Sequence, residues 1–281
     1  MERFNNSFSI YYDKQLELKK SEELKLIFKK GENKLDIGKN TVNISENASF
    51  EQIAFDAINI LSKFFEKDIN KKGIFSIHGA SITNNNKGIL LLGDNGSGKT
   101  TSAIMVCLKN PEIKLISGNR IFLNSDNIIG GVNIINLRYG SIKSEFSSFD
   151  QVTIINSQIK KVYNWEKRLF VNPEDLKITV NKKYPVKLTA IIFIKKLPKP
   201  LTILKVEDKY TYLHELYESI SRWGDRNPYT FGSMIHLPEI FSYRLKSIRL
   251  HSINDILKST PILSLEGNLE NISDYLKTLI R

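Results

Sequence analysis

Cysteine is almost missing: Cys107 is the only one in 281 residues, so no disulfide can close within the chain. No apolar run approaches the ~18 residues that would span a bilayer. The opening residues, Met1-Glu2-Arg3-Phe4-Asn5-Asn6, lack the pattern of a secretory signal. The expectation is a cytoplasmic protein without a membrane partner, in which triplets such as Asn43-Ile44-Ser45 carry no glycosylation meaning. Internal repeats and low-complexity tracts are absent. Histidine is sparse, and His214, His236 and His251 stand alone, without metal-ligand spacing.

Acidic residues are in deficit. Lys+Arg number 41 against 30 Asp+Glu, for a formal net charge of +11. The lysines are scattered in short pairs such as Lys19-Lys20, Lys29-Lys30 and Lys71-Lys72, with no basic helix and no aromatic-interleaved platform. That pattern reads as a solvated lysine-rich surface rather than a nucleic-acid groove, so no nucleic-acid partner is expected. Length and a hydrophobic content of 41% suit one large soluble domain, alone or with a smaller module.

What is present is sharper. Gly93-Asp94-Asn95-Gly96-Ser97-Gly98-Lys99-Thr100 fits the phosphate-loop pattern G-x-x-x-x-G-K-[ST] at every fixed position. The apolar run Gly88-Ile89-Leu90-Leu91-Leu92 reads as a buried strand entering the loop, and 101–109 as a helix leaving it. Glycines let backbone N–H groups converge on one concave nest. The helix start adds partial positive charge that favours phosphate. Lys99 would reach the β- and γ-phosphates, the Thr100 hydroxyl would ligate Mg²⁺, and Thr101 continues the nucleotide-binding wall. A nucleotide, ATP or GTP, with Mg²⁺ is the expected ligand. A motor ATPase is disfavoured: the chain contains no Leu-Ser-Gly-Gly-Gln stretch, and no apolar strand ends in Asp-Glu. The strand candidate Ile191-Ile192-Phe193-Ile194 ends in Lys195-Lys196 instead.

Along the chain, 8–12, 24–29 and 35–37 read as short strands, with Gly31-Glu32-Asn33 as a hairpin turn between the last two. Apolar residues recur at helical spacing from 49 to about 67. This opening part, 1–72, reads as a small α+β layer, with the Lys-rich 67–72 as the junction to the remainder, 73–281. Ile74 to Ile82, the Asn-rich turn 83–87 and the loop strand read as a β-hairpin, placing His78 on the strand beside the loop strand. Strands are expected at 114–117, 121–123, 132–135 and 186–194. Residues 140–185 carry no clear pattern. A helix is expected over 211–222, a turn-rich loop over 221–228, and a strand with two short helices from about 248 onward.

Three features resemble the HPr kinase/phosphorylase family, whose fold is shared with phosphoenolpyruvate carboxykinases. They are a strand ending in His78-Gly79 ahead of the loop strand, the loop itself with Asp94 at its second position, and the strand after Pro185-Val186. The resemblance covers roughly 73–200. It implies an α/β domain with a mixed sheet and a kinase acting on a hydroxyl. One departure matters. That family's kinases place paired aspartates after the strand that follows the loop helix; here the sequence is Ser117-Gly118-Asn119-Arg120, and neither Gly118 nor Asn119 can act as a base. Asn119 could still hydrogen-bond or ligate Mg²⁺, with Arg120 as a phosphate-binding cation.

The candidate catalytic residues are therefore His78, Asn119 and Asp126. His78 is either a satisfied structural histidine or a residue that touches phosphate or acts as an acid/base group. Asp126, in Asn124-Ser125-Asp126-Asn127, is either a turn residue or a replacement for the missing carboxylate. Arg222 and Arg226, flanking Trp223, either close over a phosphate or form a surface loop. Glu145 and Asp150 are unplaced carboxylates. The leading expectation is an ATP-dependent kinase acting on a small metabolite or a peptide acceptor. The alternative is a nucleotide-binding regulatory or interaction protein without catalysis. Homo-oligomerisation stays open.

Overall fold

A computed structural model describes residues 27–30, 34–36, 41–44, 49–146, 168–221 and 243–281. Within them the chain is an α/β protein with a mixed sheet. Helix α1 (Phe50–Lys71) is followed by β4 (Ile74–His78), β5 (Ala80–Asn84), β6 (Lys87–Leu92) and α2 (Lys99–Lys109). Next come β7 (Lys114–Ser117), β8 (Arg120–Asn124), β9 (Asn127–Gly131), β10 (Ile135–Arg138) and α3 (Tyr139–Glu145). Then follow β11 (Arg168–Val171), β12 (Val186–Lys196), β13 (Thr202–Lys205), α4 (Leu213–Ser221), α5 (Tyr243–Ser259), β14 (Ile262–Gly267) and α6 (Leu269–Ile280).

The main sheet runs β4-β8-β9-β12-β6-β5-β7, with β14 beside β12 and β13 beside β14. Two apolar runs, Ile89 to Leu92 and Ala190 to Ile194, form parallel β6 and β12 at its centre. Strands buried on both faces need continuous rather than alternating apolar residues, which is what these runs supply. Leu91 and Ile192 face a core shared with Ile104 of α2 and Ile272 of α6. Leu90 and Ile191 face the opposite way, into a second core. There Phe75 and Ile77 of β4, with Ile121 and Leu123 of β8, pack against them, so the sheet folds back over its own face. Leu216 of α4 and Ile253 of α5 close that core. Each such fully buried aliphatic side chain contributes about 1.5–3 kcal/mol relative to exposure. Cys107 lies buried in α2, as expected of a small hydrophobe, and burial pushes its thiol pKa up, so it stays neutral.

Several expectations are corrected. The strands Ile27–Lys30 (β1) and Lys34–Asp36 (β2) do not pair with each other. Each pairs with Thr41–Ile44 (β3), β1 in parallel and β2 antiparallel, so Gly31-Glu32-Asn33 does not close a hairpin between them. The Lys-rich segment expected as a junction is helix through Lys71, followed by a turn to Gly73. α1 thus reaches the main sheet directly, and its buried Glu66 pairs with Arg120 of β8 and accepts from Ser76 of β4. Residues 132–134 are not strand; the pattern splits into β9 before them and β10 after. The strand expected over 8–12 lies outside the described residues.

Candidate functional site

The hairpin is there, but its first strand begins at Ala80 rather than Ile74, and its turn is Asn85-Asn86 rather than 83–87. β5 and β6 pair antiparallel from Ala80↔Leu91 to Asn84↔Lys87, with Asn85 and Asn86 at positive φ in the turn. The run breaks at Gly79, where a Cβ would lie 2.6 Å from the Leu91 carbonyl oxygen. His78 therefore belongs to β4, which pairs with β8 and not with the loop strand. It still reaches the site, because the Gly79 N–H donates to the Asn119 carbonyl (3.1 Å) and ties the two loops together.

β6 delivers the chain into 93–100, where Gly93, Gly96 and Gly98 adopt φ of +132°, +84° and +96°. Two of these are also glycines of close approach. A Cβ on Gly93 would meet the Ile194 carbonyl at 2.5 Å, and one on Gly98 would meet Leu269 at 2.7 Å. Around Gly96 nothing lies within 4 Å, so there the backbone conformation alone selects glycine. The Ser97 N–H donates to Asp94 O (3.1 Å), and Lys196 at the end of β12 donates its N–H to Ser97 O (3.0 Å). The loop is thereby pinned between its own turn and the neighbouring parallel strand. The helix begins at Lys99, with Gly98 as the flanking residue and no side-chain cap. Its first N–H groups have no intrahelical acceptor, the condition for an anion site at a helix start.

Lys99 is buried and donates from Nζ to the carbonyls of Gly93 and Asp94, both at 2.7 Å. Thr100 donates its hydroxyl to Gly118 O (2.6 Å), which leaves the oxygen lone pairs available to a cation. A cavity of about 290 Å³ opens over Gly96, Gly98, Lys99, Thr100 and Thr101. His78 and Asn119 line it too, so three separate chain segments that the sequence singles out converge.

Not all of the expected residues arrive. Asp126 sits at the tip of the β8–β9 hairpin, where its carboxylate pairs with Lys187 and its carbonyl accepts from Leu188 N–H. Lys187 is level with Lys87, at the start of β6, while the phosphate loop follows the other end of that strand. Six residues of strand separate them by about 20 Å. Asp126 is therefore a turn residue and no replacement carboxylate. Arg120 is buried against Glu66 and over the Phe122 ring, and does not line the cavity. Glu145 pairs with Lys196. Arg222, Trp223, Arg226, His236 and Asp150 lie outside the described residues.

Other residues enter that the sequence did not mark. Asn136 and Arg138, two apart on β10, line the cavity together with Ser141 of α3 and Lys196. Asn136 Oδ1 is buried without a hydrogen-bond partner among the described residues. The described lining holds three cations, Lys99, Arg138 and Lys196, and no carboxylate. Such a cavity attracts anions, and its Asn and Thr oxygens suit a hard cation only if the anion supplies most of the ligands. Among the described residues no group of three or more His, Cys, Asp or Glu could hold a metal alone, and no helix is long and apolar enough to cross a membrane. No family model matches the chain, and no curated protein is similar to it.

Proposed function

We propose that the chain is an ATP- or GTP-dependent phosphotransferase acting on a hydroxyl, with a nucleotide-binding domain of the HPr kinase and phosphoenolpyruvate carboxykinase type. One observation carries the reading: a glycine loop with Lys99 and Thr100 at its helix start opens into a cation-lined cavity that His78 and Asn119 also reach. The antiparallel β5–β6 hairpin feeding the loop strand supports the fold assignment. In this reading the loop N–H groups and Lys99 hold the β- and γ-phosphates. Arg138 and Lys196 neutralise the outer oxygens, Asn119 faces the nucleotide, and His78 orients the acceptor. Thr100 would hold Mg²⁺, which when bound would supply charge neutralisation. Catalysis by positioning and charge requires no aspartate pair, which fits the sequence Gly118-Asn119.

The absence of a carboxylate from the described lining of this cavity favours a second reading, a protein that binds nucleotide without transferring phosphate. Calorimetric titration with Mg-ATP and Mg-GTP, run beside an assay for release or transfer of the γ-phosphate, separates the two. Binding with transfer supports the kinase. Binding alone supports the regulatory protein. Failure of the wild-type chain to bind either nucleotide defeats both.

A further inference from the structure

Behind the phosphate loop lies a second, larger chamber of about 670 Å³. His78, Asn95, Gly96 and Lys196 are common to the walls of both chambers. Thr101 and Leu269, on the helix side, line only the first, whereas Gly93, Asp94 and Ser97 line only the second. In a phosphate loop the lysine reaches the outer phosphates, and Lys99 here points back to Gly93 and Asp94. A nucleotide entering over the helix start would bring its terminal phosphate to the shared wall. The second chamber continues from that point.

The two chambers differ in charge. Asp94, Glu215, Glu218 and Glu266 line the second, against Lys195 and Lys196. Glu266 is held below the ordinary carboxylate pKa by Lys199 (2.6 Å) first and by Lys195 (3.7 Å), so it is ionised with its charge partly answered. The other acids come from the pattern of α4. Leu216 and Ile220 bury one face in the core, which turns His214, Glu215, Glu218 and Ser219 toward the chamber. The chamber has an aromatic floor, with the Phe193 and Tyr212 rings 4.1 Å apart at 31°. Its wall includes the Ser97 hydroxyl, nine-tenths buried and without a hydrogen-bond partner among the described residues. A polyanion is repelled from such a site, while a cation is attracted to the carboxylates and to the aromatic faces.

We propose that this chamber is the acceptor site and takes a hydroxyl compound bearing a positive charge, either a small amino alcohol or a serine flanked by lysine or arginine in a peptide. The proposal rests on the phosphotransferase reading. In the transfer the acceptor oxygen forms a bond to the γ-phosphorus while the bond from that phosphorus to the bridging β,γ-oxygen breaks. The nucleoside diphosphate leaves, and the hydroxyl proton passes to solvent or to His78.

The test measures Mg-ATP binding by calorimetry and ADP release by a coupled assay. The added probes are ethanolamine, glycerol, glycolate, a serine pentapeptide flanked by lysines and the same peptide flanked by glutamates. ADP release should rise saturably with ethanolamine or the lysine peptide, and whichever is used identifies the source. Glycerol, glycolate and the glutamate peptide should be at least about tenfold poorer in kcat/KM, the effect of a charge-assisted contact. In Glu215→Gln/Glu218→Gln that preference should shrink about tenfold through KM. Equal use of neutral or anionic probes overturns the proposal. So does a preference that survives in the double variant, or the absence of any response to cationic probes in a chain that turns over the neutral or anionic ones. Failure to bind either Mg-ATP or Mg-GTP, or binding without γ-phosphate release on any probe, is the separate failure of the phosphotransferase reading.

Discussion

Lys99 and Arg120 are both buried cations, 7% and 3% exposed, and both stand beside the Gly118-Asn119 turn in sequence or in space. They differ in what holds them. Arg120 faces Glu66, so its charge is answered within the fold and it anchors α1 to β8 and β4. Lys99 donates to the carbonyls of Gly93 and Asp94, dipoles that orient an ammonium without cancelling its charge. Burial beside Glu66 makes Arg120 part of the architecture, whereas Lys99 sits on the loop's own carbonyls at the cavity wall. Nearness to the site in sequence does not tell the two apart, but the partner does.

The sharpest break of this comparison is on the architectural side. Glu66→Ala or Arg120→Ala leaves one buried charge unanswered and should cost about 3–5 kcal/mol in urea unfolding. Replacing both with leucine should recover more than half of that loss, because the desolvation penalty disappears along with the pair. Whatever fraction of these variants folds should bind nucleotide with unchanged affinity per folded molecule.

Lys99→Ala reverses the profile. Its predicted cost is about a hundredfold or more in Mg-ATP affinity by calorimetry, from the loss of charge-assisted contacts to phosphate. The change in urea midpoint should be small beside that of the Arg120 variant. Unchanged affinity in Lys99→Ala would remove the loop from the nucleotide site.

Two glycines sharpen the picture at lower energy. Gly98→Ala forces a Cβ to 2.7 Å from Leu269 at φ +96° and should cost roughly 2–3 kcal/mol, combining left-handed strain with a clash. Gly96→Ala, at φ +84° with nothing within 4 Å, carries only the left-handed term of about 1–2 kcal/mol. Any excess loss of nucleotide affinity in Gly96→Ala, measured beside its thermal midpoint, reports crowding of phosphate by the new methyl group.

The phosphate loop is legible in sequence because everything it needs is contiguous: strand, glycines, lysine and helix within 87–109. The central strands are legible because burial on both faces forces uninterrupted apolar runs. What the sequence hides is long-range. Glu66 and Arg120 meet across 54 positions, and nothing in the spacing of α1 distinguishes a glutamate that will be buried from one in water. Asn136 and Arg138 alternate with the buried Ile135 and Leu137 over only four residues of β10, too short a period to mark them, and Ser141 falls in the stretch from 140 onward that carries no clear pattern. Lys195 and Lys196 read in sequence only as evidence against a motor ATPase, yet their strand ends at the loop. Gly79 misleads in the other direction: it sits inside an apparently continuous apolar run, and its close approach to Leu91 ends one strand and starts the next.

The smallest expected effect concerns Asp126, which the sequence offers as a missing catalytic carboxylate and the fold places at the far end of β6. Its carboxyl pKa lies below the ordinary value, first because Lys187 donates a hydrogen bond to it and also because of that residue's charge. A carboxylate whose pKa is depressed by folding stabilises the protein above its unfolded pKa of about 3.9 and loses that contribution as pH falls through the folded value. The pair is partly solvent-exposed, with Lys187 at 56%, so its worth is that of a surface ion pair, under about 1 kcal/mol. Asp126→Asn should therefore lower the urea midpoint slightly at pH 7. The difference from wild type should close as pH falls through the lowered folded-state pKa and shrink in high salt. Mg-ATP affinity and phosphate release should not change, since some 20 Å of strand lies between this turn and the loop. A drop in turnover at unchanged stability would mean that the hairpin tip communicates with the site, and the division between the two ends of the sheet would fall.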